Sequence, residues 1–143
     1  FKARFSRDCS CVLADLPGYG YNLAAAEVQK HWDELMAVYL ERAELLLCFY
    51  LLDIRRELDK DEMAFLLHIM RHKPLVLVLT KSDKLKKSEQ AKKLKKVKDF
   101  FGQKKINPQS IHMISSLKGQ GLEKLRLELI NFVKQSEELN TFE

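Results

Sequence analysis

Two almost unbroken apolar runs, Leu45–Leu52 and Leu75–Leu79, leave this chain little choice of architecture. Each is short and bounded by turn residues, the pattern of a strand covered by helices on both faces. Ile111–Ile114 is a weaker run of the same kind. Between the runs the apolar residues change period. Val28, Trp32, Leu35, Met36 and Tyr39 fall on one face of a helix. Met63, Leu66, Leu67 and Met70 do so after Asp59, a helix cap, and Leu122, Leu125, Leu129 and Val133 after Gly121. Ser88 is placed to cap a further helix through Leu94, Val97 and Phe101, with Gly102 as its left-handed end. At the amino end Phe1, Ala3 and Phe5 alternate with polar residues, Ser6-Arg7-Asp8 supplies a turn, and Cys9–Ala14 resumes as strand, which predicts a hairpin. Strands alternating with helices predict an α/β fold, a mostly parallel sheet with helices on both faces.

A chain of 143 residues is one domain's worth of material. With 46% hydrophobic and 31% charged residues it is too apolar for a disordered chain. Its apolar runs are far shorter than the roughly 20 residues that cross a bilayer, so no membrane partner is expected. No apolar stretch of secretory type follows Phe1–Arg7, and the cytoplasm is the expected location. Cys9, Cys11 and Cys48 lack C-x-x-C spacing and read as buried reduced thiols. His31, His68, His72 and His112 show no zinc-site spacing, and no nucleophile elbow is present. The formal charge of +5 is concentrated in the lysine-rich stretch 84–105, a local basic field that can attract nucleic acid or form the solvated face of a helix.

In parallel sheets ligands bind beyond the carboxyl ends of the strands, so the loops there carry the chemistry. Asp15-Leu16-Pro17-Gly18 leaves the strand ending at Ala14. An Asp in that place can hold magnesium through a bound water, and Gly lets the backbone approach a phosphate, although the same residues make ordinary turns. Thr80-Lys81-Ser82-Asp83 leaves Leu75–Leu79. The Asp83 carboxylate can accept both the ring N–H and the exocyclic amine of guanine, and would repel the ring acceptor of adenine. The Lys81 stem would lie along the base, and Thr80 would hold the loop. Ser115-Ser116-Leu117 leaves Ile111–Ile114, where backbone amides can meet the guanine carbonyl. Order and spacing make the three loops informative together.

On these residues the chain resembles the EngB (YihA/YsxC) family of bacterial GTPases, in the class of Era and the Ras-like domains. Asp15-Leu16-Pro17-Gly18-Tyr19-Gly20-Tyr21 is the most family-specific stretch, with Trp32, Asp53-Ile54-Arg55-Arg56 and Thr80-Lys81-Ser82-Asp83 beside it. The resemblance runs from Phe1 to about Gln135 and implies a P-loop-NTPase-type G domain over 1–135 with a tail over 136–143. It implies GTP and GDP as ligands, bound through Asp15, Leu16, Pro17, Gly18, Thr80, Lys81, Ser82, Asp83, Ser115, Ser116 and Leu117. It implies Mg2+ reached by Asp15 through water, and a monomeric switch assisting assembly of the large ribosomal subunit and linked to septation and cell division. Ribosomal RNA would meet Lys92, Lys93, Lys95 and Lys96. Tyr19 stands where Ras-like proteins carry a water-orienting glutamine, which implies slow intrinsic hydrolysis.

The phosphate-binding sequence G-x-x-x-x-G-K-[ST] does not occur among the glycines Gly18, Gly20, Gly102, Gly119 and Gly121. By the resemblance it should precede Phe1, on a central strand between those ending at Asp15 and Asp53, so the G domain is expected to be incomplete at its amino end. Two functions follow as alternatives: a GTPase switch in the complete protein, or a nucleotide-dead scaffold that binds RNA or protein. This chain alone is expected to bind GTP weakly or not at all.

Overall fold

The computed structural model describes residues 1–6, 9–16 and 34–140, with side chains described as far as residue 136. Val28 and Trp32 of the first helical stripe lie outside the described residues, as do Pro17, Gly18 and Tyr19.

The amino end forms the expected hairpin. Strand β1 (Lys2–Arg4) pairs antiparallel with β2 (Ser10–Val12), in register Lys2↔Val12, Ala3↔Cys11 and Arg4↔Ser10. Ala3 and Phe5 are half-buried as the alternation requires, whereas Phe1 is exposed. A helix, α1, is described over 34–40, followed by β3 (Cys48–Asp53), α2 (Lys60–His72), β4 (Leu75–Thr80), α3 (Lys87–Gln103), β5 (Ser110–Met113) and α4 (Leu122–Asn140). Strands β3, β4 and β5 form a parallel sheet in that order, and the hairpin is a separate two-stranded sheet. The architecture is α/β, with the parallel sheet confined to three strands among the described residues.

Alternating residues of the sheet serve two cores. Leu75, Leu77 and Leu79 of β4 and Leu52 of β3 face Met36 and Leu40 of α1, Met63, Leu66 and Ile69 of α2, and Val97 and Phe101 of α3. Val76 and Val78 face the other way, with Ile114, Phe49 and Leu125 of α4. Helices therefore cover both faces. Every residue from Leu75 to Leu79 is at most 1% exposed, which is why this strand is an uninterrupted apolar run. Burying each such side chain contributes about 1.5–3 kcal/mol before the entropy of ordering it. In α1 the buried stripe is Met36 and Leu40, with Leu35 turned outward.

Asp59 caps α2 through a reciprocal box. Its Oδ1 accepts from the Glu62 N–H at 2.7 Å, and Glu62 Oε2 accepts from the Asp59 N–H at 3.2 Å. Glu62 is buried, and its Oε1 also accepts from the Tyr50 hydroxyl at 3.0 Å and from Arg56 Nη2 at 2.9 Å. Helix α3 differs from expectation at both ends. It begins at Lys87, with the Glu89 carboxylate accepting from the Lys86 N–H at 2.8 Å, so Ser88 lies inside it. It runs past Gly102, and the left-handed residue is Lys105, at φ 53°. The N–H groups of Lys105 and Ile106 bond the carbonyls of Gly102 and Phe101, the Schellman pattern. Helix α4 runs through Asn140.

Candidate nucleotide-base site

The carboxyl edge of the parallel sheet brings two of the predicted loops together. The parallel register sets Asp53, the last residue of β3, beside Thr80, the last of β4. Thr80 is fastened to β3 on both sides: its Oγ1 donates to the Leu52 carbonyl at 3.3 Å, and its own carbonyl accepts from the Ile54 N–H at 3.0 Å. The chain then turns sharply. Lys81 is left-handed, at φ 56° and ψ 37°, and Ser82–Lys84 forms a single 3-10 turn closed by the Leu85 N–H on the Ser82 carbonyl. Ser82 is buried; its N–H donates to the Ile114 carbonyl at 3.0 Å and its carbonyl accepts from Gln90 Nε2 of α3 at 2.7 Å. The loop after β4 is thus tied to both neighbouring strand ends and to the helix that follows it.

Asp83 is the residue this turn presents. Its Oδ1 accepts from the Ser115 hydroxyl at 2.5 Å, and Lys84 Nζ lies 4.0 Å from its Oδ2. The Ser115 hydrogen bond, above all, holds the Asp83 carboxyl below its ordinary range, so the carboxylate is ionised at neutral pH. Ser115 is fully buried; its Oγ accepts in turn from the Lys118 N–H at 3.2 Å, and its N–H donates to the Gln120 carbonyl at 3.0 Å. Ser116 and Leu117 stand exposed at the tip of this loop. Two glycines make the loop possible, Gly119 at φ 66° and Gly121 at φ 74°. A Cβ on Gly121 would lie 2.2 Å from the Met113 carbonyl oxygen, so the close return of the chain onto β5 admits no side chain.

Asp53 and Arg55, given no site role by the sequence, join this edge. Arg55 donates to Asp53 through Nε at 2.9 Å, Nη2 at 2.7 Å and its backbone N–H at 3.0 Å. Lys81 Nζ lies 3.1 Å from Asp53 Oδ2. These donors, Arg55 first, hold the Asp53 carboxyl far below the usual carboxylate range. An acidic residue ending an apolar run, beside a second run ending in Thr-Lys, was the available signal.

Asp15 and Leu16 are exposed beyond β2. Among the described residues no hydrogen bond or ion pair joins them to the loops after β4 and β5. The four lysines divide. Lys93 is buried, its ammonium donating to the Arg56 carbonyl and lying 3.2 Å from Glu57, which also holds Lys96 at 2.9 Å. Lys93 is therefore used inside the fold, where its spacing with Val97 and Phe101 puts it on the core side of α3. Lys92 and Lys95 are exposed. Among the described residues no cluster of three or more His, Cys, Asp or Glu side chains can hold a metal ion, and no helix is long and apolar enough to cross a membrane. Cys9, Cys11 and Cys48 are free thiols, Cys9 buried and the others half-buried.

A parallel sheet with helices on both faces and polar loops at its carboxyl edge is the α/β architecture of a P-loop-type G domain. No protein-family model matches the chain. Three relatives, each named a probable GTP-binding protein EngB, fix the particular group. That of Aliivibrio fischeri strain MJ11 is 32% identical over 142 residues, covering 95% of this chain and 64% of the relative. That of Laribacter hongkongensis is 40% identical over 116 residues, covering 79% and 51%. That of Protochlamydia amoebophila is 44% identical over 87 residues, covering 59% and 42%. The chain belongs to the EngB family, and its matches span between 42% and 64% of the length of these relatives.

Proposed function

We propose that this chain carries the guanine-reading side of a GTP-binding switch. The observation that supports this best is the Asp83 carboxylate, ionised and aimed by the buried Ser115 hydroxyl across two adjacent strand ends. One Asp83 oxygen is oriented by Ser115 while the carboxylate keeps acceptor capacity for the ring N–H and exocyclic amine of guanine. Ser116 and Leu117, exposed at the tip of their loop, would offer backbone amides to the guanine carbonyl, and the Lys81 stem would form a wall along the base. Adenine offers Asp83 an acceptor in place of a donor, leaving the base-facing capacity of the carboxylate without a donor, and it is rejected for that reason. Asp15-Leu16-Pro17-Gly18 serves the phosphate side in this reading.

Magnesium, which the family implies, fits one described residue. The Asp15 carboxylate is an exposed hard oxygen donor suited to hold the ion through a water. When bound, the ion would neutralise phosphate charge; Asp83, Lys81 and the Ser115 loop supply base recognition, not that charge. In the complete gene product the GTP form would bind a precursor of the large ribosomal subunit and hydrolysis would allow release, in support of cell division, in the cytoplasm and as a monomer. Exposed Lys92 and Lys95 on α3 support contact with ribosomal RNA.

The test is Asp83→Asn in the full gene product, with affinities for GDP and xanthosine diphosphate measured by calorimetry. Preference should move from guanine to xanthine, because the amide donates where the carboxylate accepted. Retained guanine selectivity overturns the reading and favours a scaffold that binds RNA or protein without nucleotide.

A further inference from the structure

The carboxyl edge of the sheet holds a second, charged arrangement that base reading by Asp83 does not use. Asp53 ends β3, and the parallel register sets it beside Thr80 rather than beside Lys81. Lys81 then steps into the left-handed region, at φ 56°, which is uncommon for a residue with a long side chain. From that backbone its stem crosses back over the strand ends, and Nζ meets Asp53 Oδ2 at 3.1 Å. Asp53 is itself immobilised. The planar fork of Arg55 grips it with two parallel N–H bonds at 2.9 and 2.7 Å, and the Arg55 N–H closes a third at 3.0 Å. The Asp53 side chain is only 14% exposed, while those of Arg55 and Lys81 are 52% and 58% exposed. A fixed carboxylate therefore holds the end of a flexible, half-exposed lysine.

The consequence is geometric. A four-carbon lysine stem free in solvent loses its rotamer freedom when a ligand orders it, which opposes binding. With its ammonium anchored on Asp53, the Lys81 stem is already extended along the strand ends before a base arrives. Its charge is matched by Asp53, and Asp83 is left to act as the acceptor for the base edge.

We propose that Asp53, locked by Arg55, is a positioning residue for the nucleotide base: it pre-sets the Lys81 stem that lies along the purine. The inference rests on the guanine-reading assignment above. It makes Asp53 act only through Lys81, and only on the base side, so its removal weakens GDP and GTP equally.

A double-mutant cycle in the full gene product tests this, with Asp53→Asn, Lys81→Met and the pair, reading affinity for GDP and for GTP. Asp53→Asn should weaken both nucleotides by the same factor, about fivefold, the scale of one partly exposed ion pair. In the double variant it should add nothing to the loss caused by Lys81→Met. Losses that multiply, or a loss confined to GTP, overturn the proposal, since Asp53 would then act independently of Lys81 or on the phosphates. Should Asp53→Asn melt below the working temperature, Arg55→Gln removes the fork from the exposed side and must show the same non-additivity with Lys81→Met. Asp83→Asn in the same series separates the two ideas. A shift to xanthine together with unchanged affinity in Asp53→Asn sinks this inference alone. Undetectable guanine binding by the unmodified protein sinks both.

Discussion

The Ser115 hydroxyl donates to Asp83 Oδ1 at 2.5 Å, joining the loop after β5 to the loop after β4 across 32 residues of sequence. The contact orients the carboxylate and favours its ionised form. Since the folded carboxyl lies below its unperturbed 3.8, the stability it contributes is fully present above that value and is lost as pH falls through the lower folded one. Ser115→Ala removes the largest cause of the depression. The Asp83 carboxyl should then titrate at higher pH, read by NMR of its carboxyl carbon. Guanine-nucleotide affinity at neutral pH should fall about tenfold, the worth of one charge-assisted hydrogen bond. An unshifted titration would show that Ser115 does not govern Asp83.

Gly119 and Gly121 separate two costs that usually arrive together. Both are left-handed, but nothing lies within 4 Å of a Cβ built on Gly119, while one on Gly121 falls 2.2 Å from the Met113 carbonyl oxygen. Gly119→Ala should therefore cost only backbone strain, about 1 kcal/mol. Gly121→Ala must also push the loop off β5 and should cost clearly more, on the order of 3 kcal/mol, with Ser115 displaced. Urea unfolding of the two variants measures the difference. Equal losses would mean that the loop yields without resistance.

The same contrast between local and long-range determinants explains which features could be read from the sequence. Leu75–Leu79 was legible as a strand because both its faces are buried, which leaves no polar residue to obscure it. The Asp59 cap was legible because its partner Glu62 stands three residues away. Asp53 was not, since its meeting with Lys81 depends on the parallel register of two strands. Lys93 does not stand with the surface lysines: its burial follows from sharing the core stripe of α3 with Val97 and Phe101, and from an acceptor, the Arg56 carbonyl, that composition does not reveal. Gly102 has the residue type of a helix end, yet the Phe101 and Gly102 carbonyls are capped from Ile106 and Lys105.

That cap carries a cost which one substitution should remove. Lys105 occupies the left-handed position where glycine is favoured, at φ 53°. Lys105→Gly should raise stability by about 0.5–1 kcal/mol, the relief of the Cβ clash less the added freedom of the unfolded chain. Thermal unfolding would show it as a higher midpoint. A lower midpoint would mean that the Lys105 side chain makes a contact outweighing its strain.

The lysines of α3 should separate by role when neutralised. Lys93 donates to the Arg56 carbonyl and pairs with Glu57, so Lys93→Met leaves that carbonyl without its donor and should destabilise the fold by about 1–3 kcal/mol. Lys92 and Lys95 are exposed on the same helix, and replacing both with Gln should leave unfolding nearly unchanged. If the basic face meets ribosomal RNA, that double replacement should instead lower the steepness of the salt dependence of ribosomal-particle binding, by about one for each phosphate that is no longer neutralised. Filter binding across a range of salt concentrations reads this slope. A slope that does not move, in a protein that still binds the particle, assigns these two lysines to solvent and places the ribosomal contact elsewhere on the surface.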